Sequence, residues 1–141
     1  MSIQLLAAVH AMLILFALSA TASAQTQADM QDQACAEFKK ADDALNKVYK
    51  KIIADYKDDK MFLEKLKKAQ RSWLAYRDLH LESLYPEEDK SSYYGSVFGM
   101  CACTAKKEIT EQRTKVLKKW IDGVMEGEVC GGSIKTRETR E

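Results

Sequence analysis

The stretch that decides the fold is AQRSWLAYRD, residues 69–78. At 3.6 residues per helical turn its side chains form two adjoining stripes, Gln70, Leu74 and Arg77 on one and Ala69, Trp73 and Tyr76 on the other. A buried polar group without a partner costs roughly 1–3 kcal/mol, so the partners of Gln70 and Arg77 must come from other segments. The stretch therefore predicts a helix whose two stripes face inward and contact neighbouring helices.

Apolar residues recur at helical spacing in three long segments. The stripe Ala34, Phe38, Ala41, Leu45, Val48, Ile52 predicts a first helix over residues 27–57, with Thr26 as its N-cap. A second helix over residues 61–85 contains the opening stretch and ends before Pro86. A third helix is predicted over residues 97–125, with Ser96 as its cap. Short connections between long helices predict an all-α, up-down-up bundle.

The start of the chain has the pattern of a secretory signal peptide, residues 1–24. Leu5–Leu18 is apolar except for His10, and Ala22-Ser23-Ala24 forms a small-residue cleavage pattern before Gln25. The apolar run is too short to cross about 30 Å of hydrocarbon comfortably. We therefore expect an exported protein, with no stable membrane insertion after cleavage.

The remaining chain is long enough for one domain. We expect the helical domain to span residues 25–126, followed by a glycine-containing, charged tail over residues 127–141 that is mobile. The formal net charge of the 141 residues is +1, which gives no argument for nucleic acid as a partner.

The four cysteines are Cys35, Cys101, Cys103 and Cys130. An even number of cysteines in an oxidising compartment favours disulfides. In an up-down-up bundle Cys35 lies near Cys101 or Cys103, and a bridge would staple the first helix to the third. Cys130 follows the far end of the third helix, so a second pairing stays open. A metal or redox role for Cys101 and Cys103 is the alternative, but the usual two-residue spacer and a nearby histidine are missing, so we expect no metal and no cofactor.

Short motifs follow one another over residues 28–118: Met30, Cys35-Ala36, Ala41-Asp42, Leu45-Asn46, Tyr49, Leu66, Ala69-Gln70-Arg71, Trp73, Tyr76-Arg77-Asp78, Gly95-Ser96, Ile109-Thr110, Arg113 and Leu117. In this order and spacing they resemble the LprI-like lysozyme-inhibitor family of secreted bacterial proteins. The resemblance implies a secreted or periplasmic bacterial protein with an all-helical, disulfide-containing domain, and inhibition of lysozyme as its activity. Leu81 and Ala105 stand where the family usually has cysteines, so the family's disulfide pattern is not carried over.

The polar and aromatic residues of these motifs are interpreted as a structural set rather than a functional surface: Asp42, Asn46, Tyr49, Gln70, Trp73, Tyr76, Arg77, Asp78 and Arg113. Arg77 is expected to pair with Asp42 or Asn46, and Asp78 with Arg113. After residue 24 the sequence has one histidine, His80, and no recognisable nucleophile arrangement. We therefore expect no catalytic residues and no enzymatic activity.

The connection over residues 86–95 is the candidate partner-binding segment, through Glu87, Glu88, Asp89, Ser91, Ser92, Tyr93 and Tyr94. Its carboxylates could steer a basic protein such as a lysozyme, and its tyrosines offer rigid contact area. The competing interpretation is a solvated loop with Tyr93 and Tyr94 folded over the bundle end. We predict a binding protein that blocks a glycoside hydrolase cleft with this loop or the bundle end. The alternative function is a non-enzymatic envelope module, for interaction or structure, with another protein partner.

Overall fold

Four helices follow one another in a computed structural model, which describes the backbone of residues 2–137 and the side chains of residues 26–137. They are α1 (Ser2–Asp55), α2 (Lys60–Leu84), the short α3 (Lys90–Tyr94) and α4 (Phe98–Asp122). Apart from one isolated β-bridge, the described backbone contains no strand. The all-α bundle of three long helices predicted from the sequence is confirmed, with α3 added inside the second connection.

The helix starts differ from the prediction at two of the three long helices. The helix continues N-terminal to Thr26, because residues 2–55 contain neither Gly nor Pro to interrupt it. The side chains of the predicted signal peptide lie outside the described residues. Ser96 does not cap α4, whose N-cap is Val97. Its hydroxyl instead donates to Gln27 Oε1 at 2.6 Å and so ties the loop to α1.

The turn between α1 and α2 forms where the sequence predicts it. Asp59 caps α2, and its carboxylate accepts from the Phe62 backbone N–H at 3.0 Å. The helix ends at Leu84, directly before Tyr85 and Pro86.

The core lies where the apolar stripes of α1, α2 and α4 meet. Its buried members are Leu45, Val48, Ile52, Tyr56, Leu63, Leu66 and Leu117. Leu45, Ile52 and Leu117 are less than 2% exposed. The helices α1 and α4 form the closest pair, and α2 lies against both through longer side chains. The outer side of α2 therefore has no neighbour among the described residues.

A disulfide joins Cys35 on α1 to Cys103 on α4, with the two Cα atoms 4.9 Å apart. This is one of the two pairings that the sequence left open. Cys101 and Cys130 are free thiols, Cys101 half-buried and Cys130 exposed. The bridge closes a separation of 68 residues.

The segment after α4 packs back onto the far end of the bundle. Val124 forms a parallel β-bridge with Thr136. Lys135 donates its backbone N–H to the Tyr56 hydroxyl at 3.0 Å and its ammonium to the Asp55 carbonyl at 2.7 Å. Gly123 allows this return, because its φ is +71° and an added Cβ would lie 2.9 Å from the Lys135 carbonyl oxygen. These contacts join residues 124–137 to the bundle, and the mobility expected for the tail over residues 127–141 stays a prediction.

No helix among the residues with described side chains is long and apolar enough to cross a membrane.

Replacing Cys35 and Cys103 by serine should lower the free energy of unfolding by about 4 kcal/mol, the chain-entropy value for a loop of this length. Chemical denaturation of the oxidised unmodified protein and of the double variant measures this difference in free energy of unfolding. Cys130→Ser is the matched control and should leave the midpoint unchanged, because its thiol is exposed and unbridged. An equal loss in the control would contradict the stabilising role of the bridge.

Candidate functional site: the connection between α2 and α4

The connection after α2 is organised by the single turn of α3. The Asp89 carboxylate accepts from the Ser92 backbone N–H at 3.0 Å and from the Ser92 hydroxyl at 2.7 Å. These two hydrogen bonds lower the pKa of Asp89 below its ordinary value. Gly95 ends the turn with φ +76°, and its N–H donates to the Ser91 carbonyl at 3.0 Å. Asp89 and Ser92 therefore hold the shape of the loop.

Lys90 ties this turn to the end of α2. Its ammonium donates to the Tyr85 carbonyl at 2.6 Å and to the Glu87 carbonyl at 2.7 Å. A lysine ammonium satisfies helix-end carbonyls that would otherwise lack a donor. Sequence reasoning missed this role, although Lys90 is the one basic residue in the acidic run Glu87–Lys90.

An aromatic cluster anchors the loop to the bundle. The Tyr94 ring contacts Tyr85 edge-on at 5.1 Å and stacks with Phe98 at 6.1 Å between centroids. Its hydroxyl accepts from the Glu87 backbone N–H at 3.4 Å. Burial, with Cys101 as a neighbour, raises the pKa of Tyr85. Tyr94 thus follows the competing interpretation, in which it folds over the bundle end.

Tyr93 does not fold over in the same way. It is 69% exposed, although its ring contacts Tyr94 at 4.9 Å. The Glu87 and Glu88 carboxylates are exposed and have no hydrogen bond or ion pair with any residue in the range 26–137. A shallow, open depression of ≈ 240 Å³ is lined by Glu87, Asp89, Ser92 and Tyr93. We call Glu87, Glu88 and Tyr93 the loop edge.

The loop edge offers two carboxylates and an aromatic ring on a braced turn. It brings together no base, nucleophile and orienting group of the kind that covalent catalysis requires. Within residues 26–137, no three His, Cys, Asp or Glu side chains lie close enough together to hold a metal ion. What the edge can do is accept hydrogen bonds and ion pairs from a basic protein surface and bury a tyrosine ring.

The structural set meets at Trp73 on α2. The Arg77 guanidinium lies 5.6 Å from the Trp73 ring centroid and the Arg113 guanidinium 5.9 Å. Arg77 pairs with Asp42 at 3.4 Å, one of the two partners predicted, and with its neighbour Asp78 at 3.1 Å. Asn46 donates to the other oxygen of Asp42 at 2.9 Å. Asp42 thus links α1 to α2 through Arg77.

Two predicted features of this set are wrong. Asp78 does not pair with Arg113, because its carboxylate pairs with the adjacent Arg77. The Arg113 Nε–H donates instead to Gln70 Oε1 at 3.0 Å. Tyr76 does not face inward, and it is 55% exposed beside His80. Tyr76 itself points away because both neighbours of α2 lie on the side of Gln70, Trp73 and Arg77.

Replacing Trp73 by alanine should lower the free energy of unfolding by about 2–4 kcal/mol, since it removes a large half-buried ring and both cation–π contacts. Thermal melts followed by circular dichroism measure the change. Ser72→Ala on the exposed neighbouring position should shift the melting temperature little. An unchanged melting temperature in Trp73→Ala would refute the structural interpretation.

Adjacent tyrosines give a direct test of the loop. Tyr94→Ala should lower the melting temperature, because Tyr94 contacts Tyr85, Tyr93 and Phe98. Tyr93→Ala should change stability by no more than about 0.5 kcal/mol, as for other exposed positions. Equal effects of both substitutions in the same melts would contradict the assignment of different roles.

Comparison with known proteins places the chain in a family. The family model described as "Lysozyme inhibitor LprI" matches residues 18–117. The uncharacterized protein R02472 of Rhizobium meliloti (strain 1021) is 32% identical over 137 residues, which cover 82% of this chain and 96% of that protein. No solved structure matches the chain significantly. The helices and the bridge of α1 to α4 agree with the resemblance seen in the motifs, and the chain belongs to the lysozyme inhibitor LprI family.

Proposed function

We propose that this protein is a secreted or periplasmic bacterial binding protein that inhibits a lysozyme and has no enzymatic activity of its own. The observation that carries the proposal is the family match over residues 18–117, which joins this chain to a family described as inhibitors. The signal-peptide pattern of residues 1–24 supports export.

The loop edge is the proposed contact surface. Glu87 and Glu88 have no basic partner among residues 26–137, so they are available to cationic groups of another protein. Many lysozymes are basic proteins, and unpaired surface carboxylates accelerate their approach at low ionic strength. Tyr93 adds a large, rigid ring whose burial supplies contact energy after the encounter.

The bracing of the turn supports this role. Asp89, Ser92 and Lys90 fix α3 from within, so the loop edge loses little conformational freedom when a partner binds. Lysozymes hold their acidic catalytic pair in a groove, and an element that occupies the groove excludes the glycan. The helix α3 at this end of the bundle has only five residues, and a protruding element of this size could serve that purpose.

The test is lysis of a bacterial cell-wall suspension by lysozymes of several classes, with the purified exported protein in excess. We expect slower lysis with at least one class. The triple substitution Glu87→Gln, Glu88→Gln and Tyr93→Ala should weaken inhibition by at least about tenfold, as expected for the loss of a central contact.

The matched control is Glu64→Gln, Glu126→Gln and Tyr76→Ala, which changes the same residue types at exposed positions outside the loop. It should inhibit like the unmodified protein. Full inhibition by the loop variant would move the contact to another surface. Undiminished lysis by every class would refute inhibition and favour the envelope module with another protein partner.

A further inference from the structure

Arg113 is held in place by two other residues of the bundle. Its Nε–H donates to Gln70 Oε1 at 3.0 Å, and Gln70 is only 8% exposed. Its guanidinium carbon lies 5.9 Å from the centroid of the Trp73 ring. One N–H of the guanidinium is thus fixed by an amide, while the group lies against an aromatic ring. We call Gln70, Trp73 and Arg113 the Arg113 cluster.

The charge of this cluster is not balanced. Arg77 shares the Trp73 ring, but its guanidinium pairs with Asp42 and Asp78. No carboxylate of residues 26–137 lies within ion-pair distance of Arg113, whose hydrogen bond is to a neutral amide. Lys106, seven residues earlier on the same face of α4, has no acidic partner in this range either. The α4 side of the cluster therefore carries uncompensated positive charge.

The guanidinium of Arg113 is partly desolvated and has no acidic partner among residues 26–137. Burial lowers the pKa of Arg113, although a guanidinium remains protonated. Two hydrogen-bond donors near Arg113 also lack an acceptor within the described chain. Thr110, one turn before Arg113, is fully buried, and its hydroxyl has no partner within the described chain. The Gln70 side-chain nitrogen has no acceptor among residues 26–137.

We propose that Arg113 is a receptor for the carboxylate of an aspartate or glutamate side chain supplied by a protein partner. With Nε bonded to Gln70, the Nη1 and Nη2 groups are left to donate to an incoming group, and a guanidinium edge matches the two oxygens of a carboxylate. One carboxylate neutralises the one unpaired guanidinium.

This site goes beyond lysozyme inhibition and does not depend on it. It has the opposite charge to the loop edge. It also lies 15 residues along α4 from Phe98, about 22 Å at the helical rise. A partner with an acidic contact residue could bind here whether or not the loop edge is occupied.

The experiment is a nuclear magnetic resonance titration of the isotope-labelled full protein with the capped tripeptide acetyl-Gly-Glu-Gly-amide, whose only charge is the glutamate side chain. We expect saturable shifts of the Arg113 Nε–Hε and Trp73 indole resonances, with affinity in the millimolar range of a single exposed contact. The shifts should disappear below the ordinary glutamate pKa of about 4.3. The uncharged peptide acetyl-Gly-Gln-Gly-amide should give no saturation.

Arg113→Gln should abolish saturation of the Trp73 shift, and Arg113→Lys should weaken it at least about threefold by removing the forked donor pair. Arg71→Gln is the matched control, since Arg71 is exposed and makes no ion pair. It should bind like the unmodified protein. Should Arg113→Gln fail to fold, the lysine variant alone decides.

The assignment would be overturned by equal binding of the glutamine peptide, by unchanged affinity in Arg113→Lys, or by an absence of saturation in the unmodified protein. Tighter saturation by inorganic phosphate than by the glutamate peptide would also reject a carboxylate as the preferred ligand.

Discussion

The contact between α1 and α4 is the interaction on which the rest of the structure depends. Leu45 and Ile52 of α1 and Leu117 of α4 are almost completely buried, and Cys35–Cys103 fixes the same two helices near one end. Burial of apolar area stabilises the pair, and the bridge reduces the freedom of the unfolded chain. With two helices held in this way, α2 needs only one inward stripe to complete the bundle.

That one stripe explains how the polar residues of α2 are used. Gln70, Trp73 and Arg77 lie toward α1 and α4, and each finds a partner there. The two arginines at Trp73 differ in their partners. Asp42 and Asp78 both form ion pairs with Arg77, and neither pairs with Arg113. The charge of Arg77 is therefore balanced by Asp42 of α1 and by Asp78, whereas the charge of Arg113 on α4 has no carboxylate partner among residues 26–137. Arg77 on one side of Trp73 therefore stabilises the bundle, while Arg113 on the other side is available to bind a partner.

The two ends of the bundle are closed by different means. At one end α3 is held by Asp89, Lys90 and the ring of Tyr94, which leaves Glu87, Glu88 and Tyr93 exposed. At the other end the chain after Gly123 returns to Tyr56 and Asp55. The side chains that stabilise the loop are thus different from the exposed side chains of the loop edge. The loop can therefore be changed at its edge without removing the bonds that shape it.

The sequence by itself determined the three long helices, the break before Lys60, the end at Pro86 and the family, and it limited the partner of Arg77 to Asp42 or Asn46. These features follow from local periodicity, from residues that interrupt helices and from short motifs, each of which can be read from residues close together in sequence. It also narrowed the partner of Cys35 to two residues. The tertiary structure decided between Cys101 and Cys103, separated Tyr93 from Tyr94, assigned Arg113 to Gln70 and brought the segment after α4 back to Tyr56. Each of these depends on which side of a helix meets a neighbour distant in sequence, and helical spacing alone does not fix that direction.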